Sequence, residues 1–282
     1  MLLLPLIDPI IERALVEDLA GGDVTAESCV SADRRSTAQA IAKSPLVVSG
    51  GIVFRRVFEL VDSSVRFEQL VADGERASDR KVIWRVEGPA RSLLMAERTA
   101  LNFVQRMSGT ATLARRCVDA IPSGSATRIV DTRKTTPGLR ILERYAVRCG
   151  GAHNHRDMLG SAVLIKDNHI VAAGGVTAAL ERARANAPHT SRLEIEVTSL
   201  VELDEAIAAG ADIVLLDHFD DEMIRAAVEK TRALPRRPIL EASGNITEAR
   251  ITSLANLGVD VISMGALTHS APAADISLDF LS

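Results

Sequence analysis

From about residue 126 onward the chain alternates short apolar runs with stretches of helical spacing, and no other feature narrows its fold as much. Six runs have the length and composition of buried strands: Arg128 to Val130, Ala162 to Ile165, Leu193 to Val197, Ile213 to Leu216, Ile239 to Leu240 and Val259 to Ser263. Helical patterns such as Ala178 to Ala187 and Leu200 to Ala209 lie between them. Strands separated by crossover helices pair in parallel, and repeated right-handed crossovers give either a barrel or an open doubly wound sheet. No internal repeat separates the two, but the strand ends do. They read Asp131-Thr132-Arg133-Lys134, Lys166-Asp167, Glu196, Asp217, Glu241-Ala242-Ser243-Gly244 and Ser263-Met264-Gly265. Barrels of this kind build their active sites from the loops that follow the strands, so reactive residues gathered there favour a barrel-like arrangement.

The chain before residue 126 reads differently. Asp8 and Pro9 form an N-cap and first-turn pair, and Ile10, Ile11, Ala14, Leu15 and Leu19 follow at helical spacing, which predicts an amphipathic helix over residues 8 to 20 stopped by Gly21-Gly22-Asp23. Short β-rich runs such as Leu46-Val47-Val48 and Val82-Ile83-Trp84 then alternate with turn residues up to about residue 90, as in a small α+β domain. A long helix from about Ser92 to Met107, closed by Ser108-Gly109, joins this domain to the next.

Several classes of function are excluded early. With 282 residues the chain can bury a full core without disulfides or structural metals. A net charge of -4 and only eight aromatic residues supply neither the basic field nor the stacking platforms of a nucleic-acid binder. Cys29, Cys117 and Cys149 are odd in number and widely spaced, which fits a reducing, cytoplasmic setting better than a disulfide framework. The apolar start lacks a basic n-region and is interrupted by Pro5, Asp8 and Pro9, so it is not a signal peptide, and no window approaches a membrane span. P-loop, dinucleotide, zincin and nucleophile-elbow motifs are all missing.

Within this acidic chain the cations concentrate between Asp131 and Ile170. Arg133 and Lys134 follow one strand, Lys166 follows another, and His155-Arg156 lie in a loop after Gly150-Gly151, so all five are placed to converge on a polyanion. Arg140, Arg144 and Arg148, four residues apart, fit an exposed helix face instead. Glu196 and Asp217 each end an apolar strand, and two carboxylates beside a phosphate site suit Mg²⁺. Alternation puts Glu194 on the same side as Glu196, so parity does not choose between them. Ser243-Gly244-Asn245 and Ser263-Met264-Gly265-Ala266 are small-residue turns of the kind that hold phosphate after the last strands of a barrel.

Taken together, Glu97-Arg98-Thr99-Ala100-Leu101-Asn102, Ser108-Gly109-Thr110-Ala111-Thr112, Asp131-Thr132-Arg133-Lys134-Thr135-Thr136-Pro137-Gly138, Asn154-His155-Arg156, Leu164-Ile165-Lys166-Asp167-Asn168-His169 and Gly265-Ala266-Leu267-Thr268-His269-Ser270 resemble the quinolinate phosphoribosyltransferase family over nearly the whole chain. The resemblance implies an α/β fold: an N-terminal α+β sandwich domain, residues 1–110 with 271–282 returning to it, followed by an irregular open (β/α) barrel over 111–270. It implies an enzyme that joins quinolinate to phosphoribosyl pyrophosphate (PRPP) with Mg²⁺, releasing pyrophosphate and CO₂. Arg133, His155, Arg156 and Lys166 match the family's quinolinate-binding cations, and Arg98 resembles the arginine donated across its homodimer interface. Lys134, Glu196 and Asp217 resemble the groups around the diphosphosugar and its metal; Ser243, Gly244, Ser263, Gly265 and His269 fall at its phosphate-binding turns. Three places depart from the family pattern: His218 stands where Leu-Asp is often followed by Asn, Thr198 follows Glu196-Val197 where an acid or amide is common, and Ala152 replaces a usual third glycine. The nearest alternative is a molybdenum-associated paralogue with the same fold. A non-catalytic phosphate-binding barrel is a further one, against which the full set of cations argues.

Overall fold

The computed structural model describes residues 2–281, which divide into two compact units, each gathered from separate stretches of chain. The first unit takes the chain up to Arg115, then Thr135–Gly151 and the residues from Ala266 onward. The second takes Arg116–Lys134 and Ala152–Gly265.

In the first unit, strands β1 (Arg35–Ala42), β3 (Arg66–Gln69) and β5 (Val82–Pro89) join the terminal strand Ile276–Phe280 in one antiparallel sheet, in which β1 lies between the terminal strand and β5. A second small ribbon pairs β2 (Leu46–Val47) with β4 (Arg76–Ala77). Helix α1 (Leu4–Leu19) buries Ile7, Ile11 and Leu15, one residue per turn on a single stripe. It begins four residues before the expected start. Asp8 is not its cap, because that carboxylate pairs with the Arg56 guanidinium at 2.9 and 3.0 Å, and Pro5 rather than Pro9 occupies the first turn. Asp23 instead caps a short helix, α2 (Val24–Cys29), by accepting from Ala26 N. Phe54 and Phe58 of α3 (Gly51–Val61) stack near Trp84, with Phe54 and Trp84 ring centroids 4.8 Å apart.

Helix α4 runs from Ala90 to Asp119, straight through the expected stop at Ser108-Gly109. Both residues are there for close approach. Ser108 Oγ is buried and accepts from Ser49 N at 3.1 Å, and a Cβ on Gly109 would sit 2.0 Å from Pro272 O. Small residues in a helix interior normally lower its stability, so here contact with neighbouring backbone overrides propensity. Helix α5 (Arg140–Cys149) adds Leu142 and Ala146 to the same core.

The second unit contains all six expected strands: β6 (Arg128–Val130), β7 (Val163–Ile165), β8 (Leu193–Val197), β9 (Ile213–Asp217), β10 (Ile239–Ser243) and β11 (Val261–Ser263). They form one parallel sheet in the order β6-β11-β10-β9-β8-β7. β6 and β7 are its two ends, so the sheet is open where a complete barrel would be closed. Ile195, Val197, Val214, Leu216, Leu240, Ala242 and Ile262 are buried on one face, together with Leu203, Ile224 and Ile251 of the crossover helices. That leaves the alternate residues of each strand to face the other way.

Candidate active site

Parallel register carries this alternate face from strand to strand. Glu196 on β8 stands opposite Leu215 on β9, Leu215 opposite Glu241 on β10, and Asp217 opposite Ser243. Leu164, Glu196, Leu215, Asp217, Glu241, Ser243 and Ser263 all line one pocket of about 500 Å³. Arg133, Lys134, His155, Arg156 and Lys166 complete it, with Gly244 and Asn245 at its rim. Ten of the residues singled out from sequence therefore meet in one cavity. Three others lie elsewhere. Arg98 is exposed on α4 and lines a largely apolar groove of the first unit; His269 is exposed in the first unit with Nδ1 2.7 Å from Ser270 Oγ; Gly265 ends the second unit outside the pocket lining. Arg140, Arg144 and Arg148 belong to α5, away from this lining.

Asp131 explains why Arg133 and Arg156 come together. Fully buried just beyond β6, it accepts from Asn154 Nδ2 at 2.6 Å and from His155 N at 2.7 Å. His153 extends the sheet locally, donating its N–H to Ile129 O and accepting from Asp131 N. A buried carboxylate needs such partners, and this one thereby ties the Asn154-His155-Arg156 segment to the strand that presents Arg133. Burial, then the like charge of Arg133, hold the Arg156 guanidinium below its ordinary pKa, with Glu194 acting the other way. Arg156 Nη1 also donates to Ala162 O at 3.0 Å. A guanidinium whose charge is disfavoured by burial and by a neighbouring cation forms a site that gains when an anion enters.

Beneath the cations lie two carboxylates without a role in the sequence reading. Glu194 and Glu241 are both buried, and His155 Nε2 is 3.2 Å from Glu194 Oε1 and 3.5 Å from Glu241 Oε2. Burial works to lower the His155 pKa; the hydrogen bonds to Glu194 and Glu241 outweigh it and push it up to about 10. Burial raises the Glu194 carboxyl in turn. In the neutral ring Nδ1 accepts from Arg156 N at 2.8 Å and Nε2 bears the proton that faces the carboxylates, while the charged form that those carboxylates favour carries a proton on Nδ1 as well and gives up the Arg156 contact. In the neutral form both ring nitrogens are thus engaged inside the protein. The donor atoms of His155, Glu194 and Glu241 lie within 4.8 Å of one another, near enough to share a cation.

At the strand ends, Lys166 Nζ is hydrogen-bonded to Glu196 Oε2. Asp217 is half-buried and its Oδ2 is 3.8 Å from His218 Nε2. Glu196 and Asp217 lie on the same face of neighbouring strands, and as hard oxygen donors they fit a Mg²⁺ ion that also takes substrate oxygens.

Comparison with known proteins agrees with this geometry. The family models for the quinolinate phosphoribosyl transferase N-terminal and C-terminal domains match residues 23–108 and 110–279. The nicotinate-nucleotide pyrophosphorylase [carboxylating] of Mycobacterium leprae is 42% identical, covering 95% of this chain and 95% of its own length. The human protein of that name is 40% identical, covering 97% and 93%. The solved structure of the nicotinate-nucleotide pyrophosphorylase from Francisella tularensis superposes with a TM-score of 0.94 at 40% identity, covering 100% of this chain and 98% of that one. A cationic pocket on the carboxyl ends of an open parallel sheet, matched over almost the whole length by such relatives, places this chain in the quinolinate phosphoribosyltransferase family.

Proposed function

We propose that this protein transfers the phosphoribosyl group of PRPP to quinolinate with loss of CO₂, giving nicotinate mononucleotide and pyrophosphate, a step of de novo NAD biosynthesis. The observation that carries the reading is the pairing of Arg133 and Arg156 beside Lys166 in one pocket, facing the strand-end carboxylates Glu196 and Asp217. Quinolinate is a dianion and matches the first group. A ribose centre that becomes cationic as pyrophosphate leaves matches the second.

The chemistry then follows from placement. The quinolinate nitrogen forms a bond to the anomeric carbon as the bond from that carbon to pyrophosphate breaks. Glu196 and Asp217 stabilise the positive charge that develops on the sugar, and Lys134 faces the departing diphosphate. The 2-carboxylate then leaves as CO₂, its electron pair remains on the ring carbon, and that carbon takes up a proton. Arg133, Arg156 and Lys166 steady the negative charge in this second stage, and His155 holds the Arg156 segment in place. Glu196 and Asp217 would hold Mg²⁺, which supplies neutralising charge to the diphosphate when bound. Ser243, Gly244 and Ser263 receive phosphate groups in this reading.

The protein acts as a cytoplasmic homodimer in which Arg98 of one protomer completes the quinolinate site of the other. Its support is that Arg98 is exposed and stands outside the pocket lining, and that the three cysteines are unpaired. Among the described residues, no helix is long and apolar enough to cross a membrane. The test is product formation from quinolinate, PRPP and Mg²⁺, with nicotinate as the competing acceptor. Nicotinate mononucleotide and CO₂ from quinolinate alone are expected, and chelation of Mg²⁺ should stop turnover until the ion is restored. Folded protein that turns over neither acceptor would refute the assignment.

A further inference from the structure

His218 lines the same pocket with its backbone in the left-handed region, at φ 57°. Among the described residues only three non-glycine positions have positive φ, and two of them, His218 and Asn245, are at this one rim. Such backbone is uncommon for any residue but glycine, though Asn, Asp and His adopt it more readily than most, and it persists where surrounding contacts impose it, commonly at binding sites.

The contacts that impose it are specific. His218 N donates to Ser243 O at 3.1 Å. Gly244, itself at φ 92°, lies so close that a Cβ there would come within 2.7 Å of His218 N, 2.8 Å of its Cγ and 2.9 Å of its Nδ1. The imidazole therefore rests on bare backbone of the 243–245 turn, and its far nitrogen, Nε2, stands 3.8 Å from Asp217 Oδ2, beyond hydrogen-bonding distance. The side chain is 60% exposed. An imidazole N–H is thus presented between a carboxylate and a small-residue turn, in a cavity where the diphosphosugar is proposed to lie.

We infer that His218 is a further substrate-binding residue, whose imidazole N–H donates to a phosphate oxygen of the diphosphosugar. The inference rests on the proposed function for the identity of the ligand and goes beyond it in assigning this side chain. Glycine adopts the left-handed backbone without cost and asparagine tolerates it while keeping an N–H donor, so the two variants separate ring from backbone.

The test compares His218→Gly and His218→Asn with the parent. Losing a hydrogen bond to a charged group should raise the KM for PRPP on the order of tenfold in His218→Gly, while the KM for quinolinate stays within about twofold. His218→Gly should melt no lower than the parent, and His218→Asn should recover most of the PRPP affinity. An unchanged PRPP KM in His218→Gly, or equal rises in both KM values, would overturn the inference. Calorimetric titration with PRPP, pyrophosphate and ribose 5-phosphate reads it independently of turnover. Weaker binding of PRPP and of at least one fragment to His218→Gly supports it even if the parent fails to turn over quinolinate, and equal binding of all three refutes it.

Discussion

Burial and then the like charge of Arg133 disfavour the charge of Arg156, and that cost is offset when a dianion sits beside them. Arg133→Ala should therefore relieve Arg156 and still cripple quinolinate binding. Loss of a charge-assisted contact predicts a quinolinate KM raised by about 10- to 100-fold, with the melting temperature held, because Arg133 stands at a pocket wall and not in the core. Steady-state kinetics with quinolinate varied at saturating PRPP would decide it, and an unaltered kcat/KM would remove Arg133 from the binding set. Glu194→Ala acts at greater depth. It strips one of the two carboxylates from His155 Nε2, and loss of a buried charged partner should cost about 1–3 kcal/mol, or roughly 2–4 °C of melting temperature per kcal/mol at this size. A melting curve that superposes on the parent's would show that Glu241 alone suffices. The Asp-Thr-Arg-Lys and Asn-His-Arg clusters were legible in the sequence because each is contiguous and follows a strand or turn that can be read locally. Glu194 and Glu241 were not. Alternation gives the face a residue occupies but not its depth, and pairing with His155 is a tertiary fact.

At the scale of elements, the strands of the second unit were readable because a buried parallel strand is a short apolar run, whatever surrounds it. Helix ends proved harder, since they depend on what the neighbouring backbone does. Asp8 followed by Pro9 has the local chemistry of a cap, yet its carboxylate is taken by Arg56 and the helix starts at Leu4. Ser108-Gly109 has the chemistry of a stop, yet α4 continues because that pair lies against Ser49 and Pro272. Gly109→Ala tests the second case. In a free helix the change would stabilise by roughly 1 kcal/mol through propensity. Here the added methyl meets backbone oxygen at 2.0 Å, which no rotamer change relieves, and overpacking of this kind costs about 1–3 kcal/mol. The clash should win, with a melting temperature lowered by several degrees and kinetic constants little changed. Calorimetry showing a raised melting temperature would mean that the Pro272 segment yields freely and propensity governs.

The whole molecule is interleaved in a way that local sequence signals do not reveal. The first unit closes only with residues from Ala266 onward, so its sheet waits for the last strand of the chain to be made. That strand supplies five residues paired with β1, from Ala38 with Phe280 to Ala42 with Ile276. Helix α4 is clamped to the same segment, with Gln105 Nε2 donating to Ile276 O at 2.7 Å and Gln105 O accepting from Ala274 N at 2.8 Å. Ile276 and Leu278 are buried in the core, and losing both would remove about 3–6 kcal/mol of apolar burial before any ladder hydrogen bond is counted. Against a total stability of about 5–15 kcal/mol for a folded protein, that is a large share. The deletion also turns β1 into an open edge, a template for pairing with other chains. A chain ending at Ser270 should therefore accumulate in the insoluble fraction, or melt well over 10 °C below the full chain if it is recovered. Terminal residues usually tolerate removal, and here the usual expectation is reversed because they form the strand that covers β1 and bury Ile276 and Leu278 in the core. Soluble truncated protein with a cooperative melt within about 5 °C of the full chain would show that the sheet holds without them and that the first unit folds from its two earlier segments alone.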